Sequence, residues 1–288
     1  MKRFKTTVAA ALTAVALLGS LGFMAACGPE DAAEPAAQAY VSPYDWSGLE
    51  RSGDRLAFRE NGEVRSQFGV DVSDHQGAID WSAVASDGVD FAFVRVGNRG
   101  YTEGALYADA RYAENIDNAT SAGLDVGAYF FSQAVTVEEA REEAEFVLRL
   151  LAGRYLALPV AYDHEPVADG AGRANNMDRE TLTACARAFC ERLEQGGYET
   201  MIYGNSGDMA RYDRADLGGR PVWFAEYDAA EPHAQFDFAI WQYTNGGSVA
   251  GIGTAVDLNL LLRPRSKNPP LARSSVRDTL AVTFRSKS

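Results

Sequence analysis

Histidine and cysteine are scarce in this chain of 288 residues, with three of each. Cys27 falls in a leader-like N-terminal stretch, and Cys185 and Cys190 lie in TACARAFCERL, which reads as helix. At that spacing the two point to different helix faces, so their Cβ atoms are badly placed for a disulfide and they read as small buried apolar residues. No spacing of His and Cys suggests zinc, and neither a metal nor another cofactor is expected. Basic residues are also in deficit: 27 Lys and Arg against 40 Asp and Glu give a formal net charge of −13. Phosphate backbones are held by Lys and Arg, which argues against nucleic acid as a partner. The acidic surface fits an exported, soluble protein and identifies no substrate.

What is present is a hydrophobic content of 47%, enough for a substantial core. The start, MKRFKTTVAAALTAVALLGSLGFMAACGPE, has basic residues (Lys2, Arg3, Lys5), an apolar run and small residues before Cys27, the layout of an export signal over 1–27. MAAC resembles a lipobox, which makes Cys27 a candidate lipid anchor and the membrane a partner only through it. Met24 is unusual at the first lipobox position, and plain cleavage or an uncleaved signal anchor are the alternatives. Residues 28–66 read as a tether and a small hairpin, with turn signals at Ser-Gly-Asp and Asn-Gly. The main domain is expected over 67–263, and the basic, Pro- and Ser-containing 264–288 reads as a flexible tail.

From Phe68 on, short β-branched or apolar runs alternate with helix-patterned segments, as in parallel βα units. Strands are expected at 68–72, 91–96, 125–131, 158–165, 200–204, 221–227, 238–243 and 255–261, and helices at 107–123, 136–153 and 178–197. The later strands lie too close together for full helices between them. The expected fold is therefore α/β, an irregular TIM-like (β/α) barrel with eight strands and fewer than eight helices. The acidic segment TVEEAREEAEF, with Thr136 and Glu139 spaced as a capping box, reads as a solvated helix face.

Reactive groups of a parallel barrel gather at the C-terminal strand ends. Three expected strands carry acids in apolar company: Asp71 in FGVDVS, Asp163 and Glu165 in LPVAYDHEPV, and Asp257 in AVDLN. Side chains alternate along a strand, so Asp163 and Glu165 share a face, about 7 Å apart along the backbone, while His164 points to the other. Glycoside hydrolysis needs such a pair, one acid protonated and one anionic. Asp71 or Asp257 alone reads first as an ordinary strand-end residue. Two acids buried on one face are costly without a purpose. Tyr129, Tyr203, Trp223, Tyr227, Trp241 and Tyr243 recur near strand ends, where rings stack on sugar faces while Gln242 and similar groups meet hydroxyls.

These residues, with GVDVSDHQGAIDW, GAYFFSQA, MIYGN, VWFAEY and IWQYTNGGSVAGIGTAVDLN, resemble glycoside hydrolase family 25, the cell-wall muramidases, from about Tyr40 to Leu262. The resemblance implies cleavage of the β-1,4 bond between N-acetylmuramic acid and N-acetylglucosamine of bacterial peptidoglycan, with retention and without a metal. It assigns Glu165 as general acid/base and Asp163 as second carboxylate, either a nucleophile or the residue that orients the substrate's 2-acetamido group. Asp71 and Asp257 match the other cleft acids, and Tyr129 the tyrosine near the reacting sugar. His164 stands where the family more often has an apolar or aromatic residue and reads as packing; His75 reads as a surface residue. A monomer at the cell surface or secreted to the wall is expected. A wall-binding module without turnover, or a glycosidase of another N-acetylated polymer, are the rival readings.

Overall fold

A computed structural model describes residues 39–263; Cys27, the leader and the basic tail lie outside the described residues. Before the main domain stands a three-stranded antiparallel sheet, β1 (Leu49–Ser52), β2 (Arg55–Glu60) and β3 (Glu63–Val64). Asn61 and Gly62 both have positive φ (53° and 83°), the geometry of a tight Asn-Gly hairpin turn. Alternation along β2 sends Leu56 and Phe58 into the same hydrophobic core as the strands that follow.

The main domain runs β4 (Ser66–Val72), α1 (Trp81–Ser86), β5 (Phe91–Arg99), β6 (Leu106–Ala108), α2 (Tyr112–Ser121), β7 (Asp125–Phe131), α3 (Val137–Leu151), β8 (Val160–Asp163), α4 (Arg179–Gln195), β9 (Thr200–Gly204), α5 (Ser206–Met209), β10 (Val222–Ala225), β11 (Ile240–Gly247) and β12 (Val256–Leu262). The strand order β4-β12-β11-β10-β9-β8-β7-β5, closed by β4 against β5, is an eight-stranded barrel with β6 added on β5. Each expected strand is present, and the described helices number five.

One strand departs from the parallel βα pattern. β12 runs antiparallel to both β11 and β4. Only residues 248–255 connect β11 to β12, too few for the crossover a parallel neighbour requires. The start of β12 therefore lies at the mouth, beside the C-terminal ends of the other strands. The first expected helix also begins late, at Tyr112, because Tyr107 and Ala108 pair with Asn98 and Gly97 in β6.

Alternation divides the core in two. Phe91, Phe93, Met201 and Trp223 fill the barrel interior, while the other face of the strands packs on the helices. Gly69 and Gly127 make the interior rings possible: a Cβ would lie 2.4 Å from the Phe91 ring at the first and 2.5 Å from the Phe93 ring at the second.

Helix α3 carries the fold's main departure from the sequence reading. Glu138 and Glu142 are exposed as expected, but Glu139 and Glu143 are not on a solvated face. Glu143 is fully buried, 2.8 Å from Arg99 Nε, and accepts from Ser132 Oγ at 2.6 Å. Glu139 takes both terminal nitrogens of Arg173 at 2.8 Å. Thr136 caps Glu139 N–H as expected, but the Glu139 carboxylate reaches Val135 N–H instead of returning to the cap. Cys185 and Cys190 are separate buried thiols.

Candidate active site

The antiparallel closure of the barrel puts Asp71 of β4 directly opposite Asp257 of β12. Asp71 is buried, and its Oδ2 accepts from Asn259 Nδ2 at 2.7 Å and Gln242 Nε2 at 2.8 Å. The amide orientations follow from the donors on their far sides. Trp223 Nε1 donates to Asn259 Oδ1 at 2.7 Å, and the Tyr203 and Tyr227 hydroxyls both donate to Gln242 Oε1 at 2.8 Å. Each amide thus has only N–H left for Asp71, which favours its anion. Burial pushes Asp71 up, and the two amides and Asp257 oppose it. Burial and the adjacent Asp71 raise Asp257 to about 8, so at neutral pH Asp257 keeps its proton and donates it to Asp71.

Asp163 is the last residue of β8, and Glu165 stands two residues on, beyond the strand. The alternation nevertheless persists: the two carboxyls hydrogen-bond to each other, and His164 is buried toward Tyr162 on the outer face. A bond between two carboxyl groups requires a proton between them. Burial lifts both, Asp163 well above its ordinary value and Glu165 to about 7, with the charges of Asp208 and Asp71 adding to the rise of Glu165. The Glu165 carbonyl is held by Gln133 Nε2 at 3.1 Å. Tyr129 faces inward between the acid pairs, edge-on to Trp223 at 5.9 Å; burial, then the charge of Asp71, drives its hydroxyl up.

The structure therefore brings together Asp71, Asp163, Glu165, Asp257, Tyr129, Tyr203, Trp223, Tyr227 and Gln242, but not Trp241. Trp241 is fully buried in the outer core, with Nε1 donating to the Glu226 carbonyl at 2.9 Å. Gln242 points inward, so its chain neighbour must point out. Tyr243 shares that outward face and bonds the Asp54 carbonyl at 3.0 Å. Trp223 and Tyr203 are too deep to be sugar platforms and instead orient the amides; Tyr227, 40% exposed, presents an open ring at the rim. Asn259 and Asp208 were missed in the sequence. Asn259 stands two residues after Asp257, a spacing that puts it on the same face. Asp208 has no such signal, since it is a helix residue bonded to Asn205 N–H. Exposed His75 is a surface residue, as expected. Among the described residues, no His, Cys, Asp and Glu side chains are grouped to hold a metal ion.

Residues 70–252 match the model of the glycosyl hydrolases family 25. The chain belongs to that family. Among family relatives, it is 29% identical to Lysozyme M1 of Streptomyces globisporus over 202 residues, 66% of each chain. It is 27% identical over 191 residues to the autolytic lysozyme of Clostridium acetobutylicum, matching 66% of this chain and 54% of that protein. The chain thus spans about half the length of the latter relative. A family 25 glycosyl hydrolase of known structure from Bacillus anthracis superposes with a TM-score of 0.59 at 25% identity, over 73% of this chain and 94% of that one. The four acids of this family 25 chain come from β4, β12 and the β8 end, so the mouth of the barrel is the candidate active site.

Proposed function

We propose that this protein is a muramidase that cleaves the β-1,4 bond between N-acetylmuramic acid and N-acetylglucosamine in bacterial peptidoglycan, with retention at the anomeric carbon. The observation that carries the proposal is the Asp163–Glu165 carboxyl pair, in direct contact and with Glu165 held at about 7. Contact leaves no room for a water between the two groups, as an inverting mechanism would need. The lysozyme names of the relatives support the choice of substrate.

In the proposed cycle the shared proton sits on Glu165 once sugar is bound. Glu165 gives it to the glycosidic oxygen as the C1–O bond breaks, and positive charge develops at C1. Asp163, now anionic, either bonds to C1 or orients the substrate's 2-acetamido oxygen to do so. Glu165 then takes a proton from water as the water oxygen bonds to C1 and the C1 bond to Asp163 or to the acetamido oxygen breaks, which restores the starting state. Asp71 remains charged, and Asp257 remains neutral beside it. Tyr227 offers an exposed ring to a sugar face.

Under the same proposal, residues 1–27 direct export and Cys27 carries the lipid anchor that keeps a monomer at the cell surface. Among the described residues no helix is long and apolar enough to cross a membrane. The assay is release of reducing muramic acid ends from purified wall. Glu165→Gln is expected to lower kcat by about 10³-fold or more with folding intact; near-native turnover in that variant refutes the assignment.

A further inference from the structure

His164 stands between the two acids in sequence yet faces away from them, fully buried. Its Nδ1 lies 3.1 Å from the Ser132 carbonyl, just past β7, and its Nε2 lies 3.4 Å from Arg211 Nη2, just past α5. The first neighbour only accepts and the second only donates. With the proton on Nδ1, both contacts are hydrogen bonds. With it on Nε2, lone pair faces carbonyl and N–H faces N–H. A doubly protonated ring would satisfy Ser132 and oppose the guanidinium.

Burial also favours the neutral ring, lowering His164 to about 4; the Ser132 bond opposes this and Arg211 adds to it. Arg211 depends on the ring in turn. Its Nη1 is buried without a hydrogen bond, its nearest carboxylate, Asp208, is 4.0 Å away, and its Nη2 otherwise meets only the Ala174 carbonyl at 3.5 Å.

β8 ends at Asp163, so no sheet pairing fixes Glu165. Ser132 N–H holds the Asp163 carbonyl at 2.7 Å, and beyond it two side-chain ties act, both leading to the same short segment. Gln133 holds the Glu165 carbonyl, and the His164 ring holds the Ser132 carbonyl. That segment is anchored by buried Glu143, which accepts from Ser132 Oγ at 2.6 Å and Gln133 N–H at 3.3 Å.

We propose that His164 is a positioning residue: as the neutral Nδ1–H tautomer it pins residues 163–165 to Ser132 and Arg211, and so holds the Glu165 carboxyl against Asp163. The inference rests on the hydrolytic role proposed for that pair. Apolar packing alone does not account for it, since a leucine of similar bulk would leave the Ser132 carbonyl and the Arg211 cation facing each other's void.

The test begins with ¹⁵N NMR of the histidine-labelled wild-type protein, whose three histidines include the exposed His75 and His233. At pH 7 the His164 signals, assigned by their loss in His164→Asn, are expected to show a protonated Nδ1 and an unprotonated Nε2. Carboxyl ¹³C titration and wall hydrolysis are then followed in two variants. In His164→Leu the Glu165 titration is expected to shift by about one unit, with kcat down about tenfold and KM within about twofold. His164→Asn, which keeps a donor toward Ser132, is expected to recover kcat to within about threefold of wild type. A proton on Nε2 overturns the proposal. So does a leucine variant that loses thermal stability while Glu165 titrates and turns over as in wild type. If the leucine variant does not fold, the wild-type tautomer and the asparagine variant's titration decide. If wild type releases no reducing ends, the hydrolytic reading fails, while tautomer and titration still decide the role of His164.

Discussion

Asp71 and Asp257 face each other across a strand pair, yet the groups around them assign the single proton. Asn259 and Gln242 are locked by Trp223, Tyr203 and Tyr227 so that only N–H reaches Asp71. The resulting anion is one of the charges that raise Glu165. Removing it lets Glu165 ionise at lower pH. Asp71→Asn is therefore expected to move the alkaline limb of kcat/KM, set in wild type by loss of the proton that Asp163 and Glu165 share, to lower pH by about half to one unit. An unmoved limb in that variant would exclude electrostatic support from Asp71. The acid pair itself was legible in the sequence because a period of two is enough to put Asp163 and Glu165 together. The same period separates Trp241 from Gln242, so naming both as cleft residues ignored it. The tautomer of His164 was not legible, because Ser132 and Arg211 reach it from 32 and 47 residues away.

At the scale of elements, α3 does more than cover the barrel. Glu143 fastens the end of β5 through Arg99 and the end of β7 through Ser132, and Arg99 also bonds the Gly104 carbonyl at 2.6 Å. Removing Glu143 leaves Arg99 with only Glu142, at 2.7 Å from its Nη2, and leaves Ser132 Oγ without its carboxylate, so the cost falls below the roughly 3–5 kcal/mol of a wholly uncompensated buried charge. Glu143→Ala is expected to lower Tm by roughly 5 °C and to reduce turnover through the loosened 132–133 segment; a Tm within about 2 °C of wild type would show that Glu142 alone compensates Arg99. Helix positions and caps were readable from apolar period and Thr136. The buried acid was not, because its partner Arg99 lies 44 residues away and a run of glutamates looks alike from every side of the helix. The direction of β12 was implicit in its short connection, whereas strand propensity carries no direction.

For the whole molecule, buried acids set an unusual dependence of stability on pH. Burial holds Glu143 and Glu165 at about 7 and Asp257 at about 8, above their unfolded values. The folded state therefore binds more protons than the unfolded one through the neutral range. Their contribution is complete below the unfolded values and is lost as pH rises through about 7 to 8. On the acid side Asp117, held low by Arg154, and Asp178, held low by the Thr181 N–H, act with the opposite sign. Thermal denaturation is expected to give the highest Tm near pH 5, falling by more than about 5 °C by pH 8.5. A flat profile over that interval would mean that these acids ionise without penalty.

The hydrogen bond from Asn259 to Asp71 joins residues 188 positions apart, in the last and the first strands of the barrel. The ribosome releases the first of those residues long before the second, and the barrel has no closing seam until β12 arrives. A chain stalled before Val256 has Asp163, Glu165 and Gln242 but neither Asn259, the second amide that steadies Asp71, nor the proton on Asp257. Hydrolytic competence is thus acquired last, when the final strand has paired.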